Sequence, residues 1–155
     1  MGKEIERKFL VTGDDWRSAE YSNYVQGYLS IDKERTVRVR MTDDKAFLTI
    51  KGITRHATRE EYEYSIPVDD AESMLRQLCL RPLIEKRRYF IKHAGMTWEV
   101  DDFQGENAGL VVAEIELDDE QQAFDKPDWV GEEITADKRY YNASLVAAPF
   151  STWSA

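Results

Sequence analysis

The segment Thr36-Val37-Arg38-Val39-Arg40 alternates a polar or basic residue with valine at every position. Successive side chains of an extended chain point to opposite faces, so this alternation predicts a β-strand with one apolar and one cationic face. The same period of two recurs along most of the chain, and short polar turns separate the segments. Strands joined by short turns predict an antiparallel barrel or sandwich. We place the predicted strands at Glu4–Val11, Asn23–Ile31, Thr36–Thr42, Ala46–Gly52, Arg59–Ile66, Glu85–Lys92, Thr97–Phe103 and Gly109–Leu117.

Three predicted helices accompany these strands. A short one begins at Asp14-Asp15, whose carboxylates suit the positive N-terminus of a helix. A second follows Asp69-Asp70 and ends at Arg81-Pro82, and the last spans Asp137–Val146. Neither an internal repeat nor a Gly/Ser/Pro-rich linker divides the chain. Residues 1–155 are therefore predicted to form one domain, mainly β (α+β), with a few flanking helices.

The overall charge limits the partners of the protein. Of the 155 residues, 21 are Lys or Arg and 30 are Asp or Glu, which leaves a formal net charge of -9 at pH 7. Nucleic acids and anionic membranes repel such a protein, so we expect neither as a partner. The lone cysteine, Cys79, cannot form an internal disulfide, and Met1–Glu6 lacks the apolar core of a signal peptide. We therefore expect a cytoplasmic protein.

The charged faces of the predicted strands are sorted by sign. Patterns of the type Glu-x-Glu, Arg-x-Arg and Lys-x-Arg fall on separate strands. The simpler alternative is a solvated face of an ordinary half-buried antiparallel sheet. If the sheet closes on itself, however, these faces line one cavity. The basic candidates are Lys8, Arg38, Arg40, Lys51, Arg59, Lys86 and Arg88, and the acidic candidates are Glu4, Glu6, Glu61, Glu63, Asp101, Glu114 and Glu116.

A cavity that holds both sets of charges suits a metal-bound polyphosphate. Carboxylates are the ligands that Mg²⁺ and Mn²⁺ prefer, so the acidic candidates are predicted to bind one or two of these ions. Arginine and lysine bind phosphate oxygens, so the basic candidates are predicted to bind the substrate. Lys8 and Tyr28 are the catalytic candidates, because a desolvated lysine near several cations loses its proton and can help to activate water. The alternative is that Lys8 only binds phosphate.

Carboxylates crowded into one cavity are expected to repel one another when no metal is bound. Binding of Mg²⁺ or Mn²⁺ relieves this repulsion and stabilises the folded state by linkage. On this argument Glu114→Gln removes a repulsive charge and leaves the metal-free protein equally stable or more stable.

The order of these motifs resembles that of the CYTH family of triphosphate tunnel metalloenzymes. The resemblance covers about Gly2 to Leu145 of the chain. It implies an eight-stranded antiparallel closed β-barrel that binds a triphosphate with one or two divalent ions. The matching segments are Glu4-Ile5-Glu6-Arg7-Lys8, Gln26-Gly27-Tyr28-Leu29, Thr36-Val37-Arg38-Val39-Arg40, Glu85-Lys86-Arg87-Arg88-Tyr89 and Ala113-Glu114-Ile115-Glu116-Leu117.

The family includes enzymes that act on different triphosphates. Taken as a compact form without an appended helical domain, the chain is most similar to small prokaryotic enzymes that hydrolyse inorganic tripolyphosphate. The resemblance leaves open a class IV adenylate cyclase, a thiamine or nucleoside triphosphatase, and a non-catalytic polyphosphate-binding module. The C-terminal segment with Phe150 and Trp153 is expected to cap the barrel, to form the interface of a homodimer, or to be loose.

Overall fold

The computed structural model describes residues Gly2–Trp153. Within this range the chain forms nine strands: β1 (Lys3–Val11), β2 (Tyr21–Ser30), β3 (Thr36–Met41), β4 (Ala46–Lys51), β5 (Thr58–Ser65), β6 (Ile84–His93), β7 (Met96–Phe103), β8 (Val111–Glu116) and β9 (Val130–Glu133). The α-helices are α1 (Val68–Gln77) and α2 (Ser144–Ala147). Short 3-10 helices span Asp15–Ser18, Gly105–Asn107, Lys138–Tyr140 and Phe150–Thr152.

Eight of the strands close into an antiparallel barrel. Their order is β5-β4-β3-β2-β6-β7-β8-β1, and β1 then pairs with β5 to complete the circuit. In this last pair Glu4 lies opposite Arg59 and Ile5 lies opposite Thr58. The predicted eight-stranded closed β-barrel is confirmed.

The ninth strand, β9, was not predicted. Its four residues pair with the C-terminal part of β1, on the edge that β1 also offers to β5. The segment contains Gly131 and two consecutive glutamates, so it carries no alternation that could identify it. β9 is therefore defined by its pairing with the free edge of β1 and not by a pattern in its own sequence.

The predicted helices are partly correct. α1 follows Pro67 and ends at Gln77, inside the predicted segment, and the first helix is a single 3-10 turn. The predicted helix Asp137–Val146 was wrong, because the backbone of Tyr141 is extended (φ -66°, ψ 136°) and separates a 3-10 turn from α2. This break turns Leu145 and Val146 into the barrel end, where both are buried.

The largest apolar core lies outside the barrel wall. Phe9, Trp98 and Ile115 project from the outer faces of β1, β7 and β8, and all three are buried. They pack beneath Trp16 and Trp129, and the ring centroids of Trp98 and Trp129 lie 5.9 Å apart. Because the outer faces of these three strands bury apolar side chains, the alternation along them directs their charged side chains inward.

One end of the barrel interior is filled with apolar side chains. Ile84, Phe103 and Val112 continue the inward faces of β6, β7 and β8 and are buried against Leu145 of α2. Phe150 and Trp153 pack against the same cluster, so the C-terminal segment covers this end. The charged cavity therefore begins above an apolar floor. No helix within Gly2–Trp153 is long and apolar enough to span a bilayer.

Candidate active site

The inward faces of the strands line a cavity of about 1150 Å³. The predicted site residues other than Asp101 lie in its wall. Their positions follow from strand parity, since Tyr28 and Arg38, Arg38 and Thr49, and Thr49 and Glu63 are cross-strand partners on one face. The closed sheet thus brings residues from all eight barrel strands to one cavity.

Three carboxylates form a compact group on β1 and β8. Oxygens of Glu4, Glu6 and Glu116 all lie within 4.8 Å of one another, and Glu6 is the cross-strand partner of Glu116. Burial, together with the charges of Glu4 and Glu99, raises the pKa of Glu116 to about 7. Burial is also the main reason that the pKa of Glu6 is raised, and the charges of Glu114 and Glu4 raise it further. This crowding agrees with the predicted repulsion and is what a bound cation would relieve.

The other predicted acidic residues of the wall are already paired with cations. Lys51 Nζ lies 3.0 Å from Glu4 and 3.5 Å from Glu61, and Glu63 lies 3.5 Å from Arg38. Lys51 thus links Glu61 to Glu4 of the three-carboxylate group, and Glu63 pairs with Arg38 on β3.

Glu114 is likewise paired rather than crowded. Its two oxygens each lie 3.4 Å from a cation, Lys8 on one side and Arg88 on the other. Burial alone raises the pKa of Glu114, but these two cations outweigh it and lower the pKa to about 2. This environment reverses the sign that we expect for Glu114→Gln in the metal-free protein, because the charge at this position is attracted and not repelled.

Asp101, a predicted metal ligand, does not lie with the three-carboxylate group of Glu4, Glu6 and Glu116. Its side chain is 1% exposed and lies outside the cavity wall. Oδ1 accepts from Arg88 Nε at 2.8 Å, and Oδ2 accepts from Lys86 Nζ at 2.7 Å. Despite burial, these two cations hold the pKa of Asp101 far below its usual range. With both oxygens occupied, Asp101 is placed to support Lys86 and Arg88 from behind.

The basic side of the cavity concentrates positive charge out of water. Arg38, Lys86 and Arg88 are buried, and Arg38 Nε has no hydrogen-bond partner within Gly2–Trp153. Burial and the neighbouring Arg38 and Arg88 lower the pKa of Arg40 to about 10. Burial, opposed by Asp101 and aided by Arg88, lowers the pKa of Lys86 to about 7. Clustered cations with an unpartnered buried donor form a site for a polyanion.

Lys8 has a different environment from the one predicted. Its Nζ lies 3.4 Å from Glu6 and 3.4 Å from Glu114. Burial lowers the pKa of Lys8, but the two carboxylates raise it above its ordinary value, so Lys8 keeps its proton. Tyr28 lies in the cavity wall without a hydrogen bond to Lys8 among the described residues, whereas the Tyr141 ring is 5.9 Å from Lys8 Nζ.

Sequence reasoning missed several residues of the wall. Tyr24 lies on β2 with the parity of Gln26. Its ring centroid is 4.9 Å from the guanidinium carbon of Arg40 and 5.2 Å from that of Arg88. Glu99 shares the inward face of β7 and lies 3.3 Å from Arg88. Strand parity was sufficient to find both. Asn142 carries no such signal, because it follows the barrel strands in an irregular segment.

Comparison with known proteins agrees with this geometry. A family model described as the CYTH domain matches residues 2–147. An inorganic triphosphatase of Acetivibrio thermocellus is 53% identical over 154 residues, which cover 99% of each chain. An inorganic triphosphatase of Nitrosomonas europaea is 38% identical over 146 residues, covering 92% of this chain and 95% of the relative.

Solved structures give the same assignment. The chain superimposes on a crystal structure of an inorganic triphosphatase with a TM-score of 0.67 and 37% identity, covering 92% of this chain and 93% of that one. The resemblance found in the motifs is therefore confirmed, and the chain belongs to the CYTH domain family.

Proposed function

We propose that the protein hydrolyses inorganic tripolyphosphate to diphosphate and phosphate and that it requires Mg²⁺ or Mn²⁺. The observation that carries this proposal is the division of one cavity into a carboxylate group and a cationic wall. Two relatives over nearly the whole chain are inorganic triphosphatases, which favours the same substrate here. The buried, free thiol of Cys79 is compatible with the cytoplasm as the proposed compartment.

Glu4, Glu6 and Glu116 are the proposed principal metal ligands. Their clustered oxygens are hard donors that suit a small divalent ion. Burial raises the pKa values of Glu6 and Glu116, and neighbouring carboxylates raise them further. A bound divalent ion would neutralise charge on the phosphate oxygens and act as a Lewis acid. Glu61, Glu63 and Glu114 stay proposed ligands of secondary importance, because their oxygens lie outside the compact group of Glu4, Glu6 and Glu116.

The basic wall is proposed to bind the triphosphate. Arg38 offers an unpartnered buried donor, and Arg40 and Arg88 present further guanidinium groups toward the same cavity. Cleavage by water transfers negative charge to the departing phosphate groups, and fixed cations in a site that excludes water stabilise that charge. Lys8, held charged between two carboxylates, is proposed to bind phosphate rather than to act as a base. Lys51, Arg59 and Lys86 complete the proposed binding set.

A substrate panel tests this function. Tripolyphosphate, ATP and thiamine triphosphate are each incubated with the protein, with Mg²⁺, with Mn²⁺ and with excess EDTA. We expect phosphate release from tripolyphosphate to be the fastest reaction and to stop in EDTA. Glu116→Gln should lower the rate at least tenfold, whereas Glu72→Gln, on the exposed face of α1, is the matched control.

Three outcomes would replace the proposal. Cyclic AMP formed from ATP would show a cyclase. Preference for thiamine triphosphate would move the substrate class to organic triphosphates. Tight binding of tripolyphosphate without any product would show a binding module.

A further inference from the structure

Asn142 connects the C-terminal segment to the cationic wall. It lies between the 3-10 turn Lys138–Tyr140 and α2, outside the barrel strands, and its side chain borders the cavity. Its Oδ1 accepts two hydrogen bonds, from Gln26 Nε2 at 2.8 Å and from Lys86 Nζ at 3.0 Å. One amide oxygen thus joins β2 and β6 to the segment that covers the barrel end.

The orientation of both amides in this chain of hydrogen bonds is determined by the charged residues at its ends. Arg40 and Lys86 can only donate. Arg40 Nε donates to Gln26 Oε1 at 2.9 Å, so the nitrogen of the Gln26 amide must face Asn142. Asn142 then has to present its oxygen to both Gln26 and Lys86. The network Arg40–Gln26–Asn142–Lys86 therefore has a single satisfied arrangement.

Each member depends on the oxygen of Asn142. Gln26 is fully buried, so without this acceptor its amide nitrogen would have no partner in the observed arrangement. Lys86 would keep its hydrogen bond to Asp101 but lose the one to Asn142, and the two together set the direction of its ammonium group. A Gln26 amide that is free to rotate no longer holds Arg40 at a constant angle.

We propose that Asn142 is a positioning residue, which orients Lys86 directly and Arg40 through Gln26 for binding of the phosphate groups. The C-terminal segment is then part of the substrate site and not only a cover for the apolar floor. The catalytic consequence rests on the proposed function, whereas the orientation of Arg40 does not. This difference allows the two to be tested separately.

The first arm of the test measures the Arg40 Nε–H group by proton–nitrogen NMR in the metal-free protein. Asn142→Leu removes the acceptor at nearly constant volume, and Asn142→Asp retains an oxygen acceptor. We expect exchange of this hydrogen with solvent to be at least tenfold faster in Asn142→Leu, and nearly unchanged in Asn142→Asp. Ser151→Ala is the control, because it removes an exposed bond between the same segment and Glu106.

The second arm measures hydrolysis of tripolyphosphate. Asn142→Leu should raise KM about tenfold with a much smaller change in kcat, because the cations that bind the phosphate groups lose their orientation while the reacting groups are intact. Gln26→Leu should raise KM as well, and the double variant should show less than the product of the two effects. Ser151→Ala should leave both constants unchanged.

The outcomes separate the inference from the proposed function. Unchanged Arg40 exchange in Asn142→Leu would overturn the inference, even if the wild type hydrolyses tripolyphosphate normally. Equal loss of Arg40 protection in Asn142→Asp and Asn142→Leu would also overturn it. If the wild type does not hydrolyse tripolyphosphate, the proposed function is refuted, and the NMR arm alone decides whether Asn142 positions Arg40. If Asn142→Leu does not fold, Asn142→Ser is used instead in both arms, because serine also lacks the amide and is smaller.

Discussion

Two glutamates on neighbouring inward positions of β8 should respond to neutralisation with opposite signs. Glu114 lies between Lys8 and Arg88, whereas Glu116 lies among other carboxylates. The perturbation is a Gln substitution at each position, studied in the metal-free protein. Glu114→Gln should destabilise the fold, and Glu116→Gln should stabilise it.

The magnitude for Glu114 follows from its pKa. A fall from 4.5 to about 2 corresponds to about 3 kcal/mol at roughly 1.4 kcal/mol per pKa unit. Because the folded pKa is depressed, this stabilisation is present above the unfolded pKa and is lost as pH falls through about 2. Gln can still accept a hydrogen bond, so we expect a loss of about 2 kcal/mol at pH near 8, or about 6 °C in Tm.

The sign for Glu116 is reversed. Its folded pKa is raised from 4.5 to about 7, so the folded protein holds this proton more tightly, and stability is lost as pH rises from the unfolded pKa to about 7. The side chain is partly exposed and therefore screened, which reduces the expected gain from Glu116→Gln to about 1 kcal/mol above this range. The gain should vanish as pH falls toward 4.5.

Thermal unfolding in EDTA at pH near 5 and near 8 measures both effects, with Glu72→Gln on the exposed face of α1 as the control. The reasoning would be refuted if Glu114→Gln were as stable as the wild type at the higher pH. It would be refuted equally if Glu116→Gln were destabilised there. Saturating Mn²⁺ should raise the Tm of the wild type more than that of Glu116→Gln, because the variant lacks one proposed ligand.

Two further predictions concern the support of the cationic wall. Asp101→Asn should lower the free energy of unfolding by about 3 kcal/mol or more in urea denaturation, because it leaves Lys86 and Arg88 buried beside an uncharged group; a loss below about 1 kcal/mol would contradict this. Tyr24→Leu should reduce kcat/KM about tenfold while Tyr24→Phe retains most of it, because the aromatic ring lies within cation–π distance of both Arg40 and Arg88 and helps to position them. Equal kinetics in the two Tyr24 variants would rule out that role.

Strand parity was sufficient to predict the strands of a barrel or sandwich and the common face of their charged residues. In β3, for example, valine alternates with charged or polar residues, and Val39 is buried in an apolar cluster with α1 while Arg38 and Arg40 line the cavity. Closure of the sheet was implied by the family resemblance. Periodicity alone left a sandwich open, because it does not specify the pairing of β1 with β5.

Strand parity does not specify how deeply an inward side chain is buried or which charged group it pairs with. Asp101 and Glu99 share one face of β7, yet Asp101 is sealed behind Lys86 and Arg88 whereas Glu99 borders the cavity. Which carboxylate meets a cation and which meets another carboxylate depends on the register of neighbouring strands. The sequence alone therefore grouped Glu114 with repelling carboxylates, whereas it lies between Lys8 and Arg88. The role of Asn142 could not be predicted, because it lies in an irregular segment whose residues follow no periodic pattern.

Phosphorus NMR of tripolyphosphate incubated with the purified protein and Mg²⁺ tests the central claim most directly. We predict that the signals of the triphosphate disappear while diphosphate and phosphate appear in equal amounts, and that excess EDTA stops the reaction. A triphosphate spectrum that stays unchanged with Mg²⁺ and with Mn²⁺, at a protein concentration that saturates the substrate, would contradict it.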